Sequence, residues 1–269
     1  MANIALGSAA SALSALNTKL DVIANNLANL NTVGYKASRA NFQDLLYIER
    51  AQPGTLNSNG DQRPIGLYVG LGVKVSGTHL NFEQGSVMTT NRPLDIMING
   101  RGFFQVEVGS DTSPDGLAYT RAGAFTLNAD GEIVMASDTG RRLQPTITVD
   151  EGVEMSSLTI TEDGRVFARV SGELTELGQI EIATFINPSG LKQIGESLFV
   201  ETIASGTANL GEPGTDARGL LSNGRLEASN VDPARELIEL IRTQRAFEMN
   251  SQAIRAADET MRTVAQLRR

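Results

Sequence analysis

His79 is the chain's single histidine, and there is no cysteine. That inventory excludes a thiol nucleophile and any Cys-ligated or His-rich metal site. Set beside Thr78 and Leu80 in an alternating run, His79 reads as a surface strand position rather than a triad base. Asn128-Ala-Asp130-Gly131-Glu132 resembles part of a calcium loop. The same register, however, puts Thr126 and Ser137 at the loop's two ends, where carboxylates are required. A hairpin turn is the better reading. Gly70-Leu-Gly72 and Gly100-Arg-Gly102-Phe-Phe are glycine-rich, yet neither follows a strand and opens a helix, as a phosphate cradle must. They read as turns or bulges. Carboxylates are plentiful, with 31 Asp and Glu, so an acid/base pair is compatible with the composition, but nothing marks one pair out. No cofactor is called for.

The elements that would position such residues point elsewhere. Leu6, Leu13, Leu20 and Leu27 recur every seven residues, with Ala9, Leu16, Ile23 and Leu30 three later. Near the other end Leu240, Phe247, Ile254 and Met261 repeat the step, with Thr243, Asn250, Ala257 and Val264 between. These are a and d positions of heptads, a stripe that wants a partner helix. The first helix is rich in Ala and Leu but also in Ser and Asn, which lower its intrinsic stability, so packing must order it. It should stop near Asn31 to Gly34. The last helix should open at Asp232-Pro233, with Asp as cap, Pro in the first turn and Glu236 just behind, and run to about Arg268.

Between the helices the period changes. Phe42, Leu45 and Leu46 fall at helical spacing, which predicts a short helical stretch to about Ile48. Ala51 to Gly66, with Pro53, Gly54, Asn57, Gly60 and Pro64, reads as a long loop or extended linker. From about Leu67 to Leu221 apolar and polar residues alternate in short runs, punctuated by Asn99-Gly100, Asp115-Gly116, Asp130-Gly131, Asp163-Gly164 and Asn187-Pro188. Short strands joined by tight turns predict an antiparallel β domain. The expected fold is therefore mainly β, an antiparallel domain carried on paired N- and C-terminal coiled-coil helices. The expected divisions are a helix over 1–34, an extended segment over 35–66, the β domain over 67–222 and a second helix over 223–269.

Composition supports this and excludes other classes. With 41% hydrophobic residues the chain can bury a core, although only 5% are aromatic and there is no Trp. A net charge of −8 argues against a nucleic-acid binder, which needs a basic face. No apolar run approaches the roughly eighteen residues of a membrane helix. Residues 1–30 lack the basic start and compact apolar block of a cleaved signal.

Several motifs carry a resemblance. Ile23-Ala-Asn-Asn-Leu-Ala-Asn-Leu-Asn-Thr-Val-Gly-Tyr-Lys36, containing Asn25, Asn26, Asn29, Asn31, Gly34 and Tyr35, resembles the N-terminal signature of bacterial flagellar rod and hook proteins. Glu227-Ala-Ser-Asn-Val-Asp232 and Gln244-Arg-Ala-Phe-Glu-Met-Asn-Ser251, containing Asn230, Gln244, Arg245 and Asn250, resemble that family's C-terminal signature. Phe247 stands where the family usually has Tyr. Phe42-Gln-Asp-Leu-Leu-Tyr47, Ala51-Gln-Pro-Gly54, Gly70-Leu-Gly-Val73, Gly102-Phe-Phe-Gln-Val106, Tyr119-Thr-Arg-Ala-Gly123 and Gly195-Glu-Ser-Leu-Phe199 extend the likeness to the family's distal-rod members along the whole chain.

The resemblance implies a non-enzymatic subunit of an axial drive shaft, exported without signal cleavage by the flagellar type III apparatus into the periplasmic part of the basal body. It implies a helical homopolymer that meets proximal rod subunits, the hook protein and the surrounding periplasmic and outer-membrane rings. It makes no use of nucleic acid and does not insert into the membrane. The polymer interface would lie on Leu6, Leu13, Leu16, Leu20, Ile23, Leu27, Leu30, Leu240, Phe247, Ile254, Ala257, Met261 and Val264. It also makes the 51–66 segment an insertion that stiffens the rod. A proximal-rod or hook-type subunit, a cell-wall glycan hydrolase and a secreted oligomeric adhesin stand as alternatives.

Overall fold

A computed structural model describes residues 2–56, 61–109, 113, 115–150, 153, 157–170 and 173–267, with only the backbone of Ala2, Asn3, Val170, Val264 and Leu267 described. The chain forms two compact units. One comprises Met1–Leu27, Ser38–His79 and Asp232–Arg269; the other comprises Ala28–Ala37 and Leu80–Val231.

The first unit holds two long helices and a β-ribbon. Helix α1 spans Ala2–Ala28 and helix α2 spans Pro233–Leu267. At 35 residues α2 is about 50 Å long. It begins as its sequence dictates. Asp232 Oδ1 accepts from Ala234 N at 3.0 Å and Arg235 N at 3.2 Å, satisfying amides that the first turn leaves without partners. The ends of the expected α2, Arg268 and Arg269, lie outside the described residues. No helix among the described residues is long and apolar enough to cross a membrane.

The expected helical stretch ending at Ile48 is strand instead. Ser38–Asp44 pairs with Val73–Leu80, and Tyr47–Ala51 pairs with Leu67–Gly70. Between the two pairs Leu45 N donates to Gly72 O at 2.9 Å and Leu71 N to Leu46 O at 3.1 Å. Three apolar residues at helical spacing fill little more than one turn, too little to nucleate a helix. Phe42, Tyr47 and Ile48 suit a pleated surface, and long-range pairing gives the backbone its partners. The ribbon continues outward through Gly54 N to Arg63 O at 2.8 Å and the bridge between Leu56 and Gln62. Residues 57–60, with Asn57 and Gly60, lie outside the described residues.

The second unit is antiparallel β throughout its named pairings. Its largest sheet has seven strands. Along its main path lie Lys192–Gly195, Leu198–Val200, Leu117–Thr120, Phe103–Glu107, Ile182–Thr184 and Asn209–Gly211, with Leu143–Gln144 also paired to Phe103–Glu107. Side chains alternate across this sheet. Phe104 and Val106 enter a large aliphatic core with Leu94, Ile98, Phe125 and Ile182. Phe103 points to a second, aromatic cluster with Tyr119 and Phe199, flanked by Phe82 and Phe185. Phe103 meets Phe82 edge-on at 5.4 Å, and Tyr119 meets Phe185 at 4.8 Å. The few aromatics are thus concentrated where edge-to-face packing adds to burial. Burial pushes the Tyr119 phenol up to about 12.

The expected hairpin at Asn128–Glu132 is present. Asn128 Oδ1 accepts from Asp130 N and Glu132 N, closing the turn between Phe125–Leu127 and Ile133–Met135. His79 is exposed on its strand.

Candidate functional site

Each unit contains one place where residues from the two ends of the chain meet. In the helix-and-ribbon unit Lys19 Nζ lies 2.7 Å from Glu239 Oε2. Asn26 Nδ2 donates to Glu236 Oε1 at 3.3 Å and to Ser38 O at 2.9 Å, while its Oδ1 accepts from Ser38 N at 3.0 Å. One buried amide therefore serves Ser38 as a neighbouring strand would and also reaches α2. The asparagine that weakens an isolated helix is what fixes this one in place. The hydrogen bond from Lys19 holds the Glu239 carboxyl below the usual range. Burial pushes Glu236 up, against the opposing bond from Asn26.

Among the heptad residues, Ile23 is buried and Leu6, Leu13, Leu16, Leu20, Leu27, Leu30, Leu240, Phe247, Ile254 and Ala257 are half-buried. Met261 is exposed, and the Val264 side chain lies outside the described residues. The less exposed positions of α2 include Glu236, Leu240, Thr243, Phe247, Asn250, Ile254 and Ala257. Two of the stripe's three polar members bond back to their own helix. Thr243 Oγ1 donates to Glu239 O at 2.7 Å and Asn250 Nδ2 to Ala246 O at 2.9 Å. Bonds to the helix's own carbonyls lower the cost of placing these groups against hydrocarbon.

Helix α1 is also covered on a side that the heptads did not indicate. Val73 N donates to Ser11 Oγ at 3.2 Å, and Ser8 Oγ contacts Gly70 O at 3.5 Å. Gly72 adopts φ +117 against this face, where a Cβ would overlap Ser11 Oγ. The small residues Ser8 and Ser11 were the available signal, since only short side chains let a ribbon approach a helix so closely.

The β unit holds the second meeting place. Lys36 Nζ lies 2.6 Å from Glu227 Oε1, and Arg121 Nη1 lies 3.2 Å from Glu227 Oε2; Lys36 and Glu227 are 1% exposed and Arg121 4%. Lys36 also donates to Glu83 O at 2.7 Å, and Arg121 to Gly100 O at 2.7 Å. Gly85 N donates to Glu227 Oε1 at 2.8 Å. The Arg121 guanidinium lies 5.4 Å from the Phe103 ring centre. Burial lowers the Lys36 ammonium, with Glu227 opposing and Arg121 adding to the shift.

Around this cluster the incoming and outgoing segments bond directly. Gly34 N donates to Glu227 O at 2.8 Å, Ala37 N to Asn230 Oδ1 at 2.7 Å, and Asn230 N to Tyr35 O at 3.4 Å. Asn230 Nδ2 donates to Asn81 O at 2.8 Å and Glu83 O at 3.0 Å. Gly34 has φ +68, and a Cβ there would sit 2.5 Å from Ala122 N. Within the β unit the motif residues Gly34, Tyr35 and Asn230 therefore form one site. Asn29 is half-buried, and Asn25, Asn31, Gln244 and Arg245 are exposed. Lys36, Arg121 and Glu227 were absent from the expected site. Each lies within one of the quoted motifs, but nothing in those motifs links the three residues to one another.

Gly34, Tyr35 and Asn230, which carry the family resemblance at the two ends of the chain, are thus joined inside the β unit. The match to known families agrees. Residues 6–36 match the flagella basal body rod protein description, residues 97–168 the flagellar hook protein FlgE/F/G D1 domain, and residues 222–267 the flagellar basal body rod FlgEFG protein C-terminal region. The chain is 42% identical to flagellar basal-body rod protein FlgG of Borreliella burgdorferi, covering 98% of both chains. It is 43% identical to the FlgG of Caulobacter vibrioides over 98% of this chain and 99% of that one. It is 36% identical to that of Bacillus subtilis over 98% of each. The chain belongs to the flagellar basal-body rod protein family, and its likeness is to the FlgG, or distal rod, members. It is a structural rod subunit of the basal body, from a family that is not a class of enzymes.

Proposed function

We propose that this subunit polymerises through its terminal helices into an open helical tube that carries motor torque towards the hook. The observation that carries this reading is the surface of α2. Its seven-residue stripe is partly covered, yet Leu237, Ile238, Ile241 and Met249 remain exposed on its other sides. A helix with apolar side chains on more than one side has more partners to meet than one helix can supply. Repeated head-to-tail contacts that do not close produce a filament. The principal partner is another copy of the chain; proximal rod subunits and the hook protein meet its two ends. Surrounding ring proteins and the type III export apparatus complete the partners, and the subunit works in the periplasmic space.

Replacing Leu20 or Ile254 by Asp tests the seam. Each should abolish polymers in sedimentation and negative-stain microscopy while the β unit stays folded. Normal polymers from either variant would overturn the assignment.

A further inference from the structure

We propose that Asn99 is a site of spontaneous modification, losing its side-chain nitrogen as ammonia through attack by the Gly100 amide, and that Gln84 is the residue restraining it. An asparagine followed by glycine undergoes this loss most readily, because no Cβ shields the attacking nitrogen. Two such steps lie among the described residues, Asn99–Gly100 and Asn223–Gly224. They sit at the ends of one antiparallel pair, Ile96–Asn99 against Leu220–Asn223. Their chemistry is the same and their surroundings are not.

Asn223 is half-buried, and the nitrogen that would attack it is held by main chain. Gly224 N donates to Asp95 O at 2.8 Å, while Gly224 O accepts from Thr90 N at 2.9 Å and Asn91 N at 3.1 Å. Freeing that nitrogen requires the strands to part. Asn99 and Gly100 are both exposed. Gly100 N donates to a side chain, Gln84 Oε1 at 3.1 Å, and Gln84 Nε2 donates in turn to Ile98 O at 3.4 Å. One exposed glutamine thus brackets Asn99 as a neighbouring strand would, and it lets go by a rotation about its own bonds. Packing also keeps the labile step in place. Gly100 has φ +119, and a Cβ there would lie 2.9 Å from Gly219 Cα.

The reaction needs only water. The Gly100 nitrogen gives its proton to solvent and attacks Asn99 Cγ. The N–Cγ bond forms, the Cγ–Nδ2 bond breaks, and ammonia leaves after taking up a proton. Water then opens the cyclic imide at one carbonyl or the other, leaving aspartate or isoaspartate. The two products differ in consequence. Arg121 donates to Ile98 O at 3.4 Å and to Gly100 O at 2.7 Å. Isoaspartate inserts a carbon into the main chain between those carbonyls, so a rigid guanidinium fork can no longer hold both. Aspartate adds charge and leaves the spacing unchanged. This goes beyond the tube reading and does not rest on it.

The test follows the full-length chain during incubation in mildly alkaline buffer, at a concentration where sedimentation shows monomers. Peptide mass spectrometry, with fragmentation to localise the change, reads the exchange of an amino group for a hydroxyl at Asn99 and at Asn223. In the parent, Asn99 should react about tenfold or more faster than Asn223, whose release needs local opening. Gln84→Ala should quicken Asn99 by roughly two- to tenfold, the worth of one hydrogen bond, and leave Asn223 unchanged. Gln84→Glu retains an oxygen acceptor for Gly100 N and should keep the slow rate. Reaction at Asn223 as fast as at Asn99 in the parent would overturn the site. An unchanged rate at Asn99 in Gln84→Ala, or equal quickening at both asparagines, would overturn the role of Gln84.

Discussion

The molecule contains two Lys–Glu pairs of almost the same length that each join its beginning to its end. Lys36–Glu227 spans 2.6 Å in the β unit with both side chains 1% exposed; Lys19–Glu239 spans 2.7 Å in the helix unit with exposures of 30% and 33%. Distance alone would rank them together. The surroundings separate them, because attraction grows and the cost of stranding a charge rises steeply as water is excluded. The first pair is part of a body that completes its own core, with Phe104, Ile182 and Leu143 wholly buried. The second lies in a unit where Leu46, Tyr47, Ile65 and Tyr68 on the ribbon and Leu237 and Ile241 on α2 still face solvent. The β unit closes a large core while leaving Leu174, Ile186 and Ile203 exposed outside it; the helix unit has no comparable core among the described residues.

The largest break in this comparison comes from Glu227→Ala. It leaves Lys36 and Arg121 facing each other, buried and without a counter-charge. Loss of one partner from a buried pair costs about 3–5 kcal/mol, so urea unfolding of the β unit should shift by that amount. A shift below about 1 kcal/mol, the range of surface pairs, would mean that the cluster is effectively solvated.

Lys36→Met sharpens the same point with a smaller effect. Glu227 keeps Arg121, so no net charge is stranded, and the thioether refills most of the hydrocarbon volume. What remains is the loss of one of two donors to the Glu83 carbonyl, which keeps Asn230 Nδ2 at 3.0 Å, at about 0.5–1.5 kcal/mol. Lys36→Met should therefore cost less than Glu227→Ala in the same urea titration. The reverse order would show that Lys36, not the carboxylate, holds the cluster together.

How much of this could be read from the chain depended on how local each cause is. The start of α2 was legible because its cap, Asp232, and its first-turn proline adjoin. The hairpin at Asn128–Glu132 was legible for the same reason. Gly34 and Asn230 stood out as parts of recognisable motifs, though the sequence could not say that they touch. The ion cluster was not legible, since its members lie 191 and 106 residues from Glu227 and no periodicity connects them. The strand at Ser38–Asp44 was misread because a window of three apolar residues fits a helix and a strand equally well, and a partner at Val73–Leu80 decided the outcome. The covering of α1 by that ribbon was hidden too, because small residues make poor hydrophobic signals while making close approach possible.

The smallest effect separates the two carboxylates of the exposed seam, and its sign comes from their shifts. Glu239 is depressed below its ordinary value of 4.5, mainly by the Lys19 hydrogen bond. Its contribution is present above 4.5 and is lost as pH falls through the lowered value. Glu236 is raised above 4.5, mainly by burial. Its contribution is complete below 4.5 and is lost as pH rises through the raised value. Asp232 and Glu239 reinforce the upward push on Glu236, while Asn26 and Lys19 oppose it. Acidifying from neutral pH should therefore first strengthen the α1–α2 seam and then weaken it, with a maximum near 4.5. Each limb should be worth less than about 1 kcal/mol, as for other partly exposed pairs. Thermal melts followed by far-UV circular dichroism at low salt measure this as differences between variants, which cancels the titration of the remaining carboxylates. Glu236→Gln should flatten only the limb above 4.5, and Lys19→Ala chiefly the limb below it. If both variants change the same limb, the two carboxylates titrate as one coupled site, and the seam loses the opposed pair that sets its optimum.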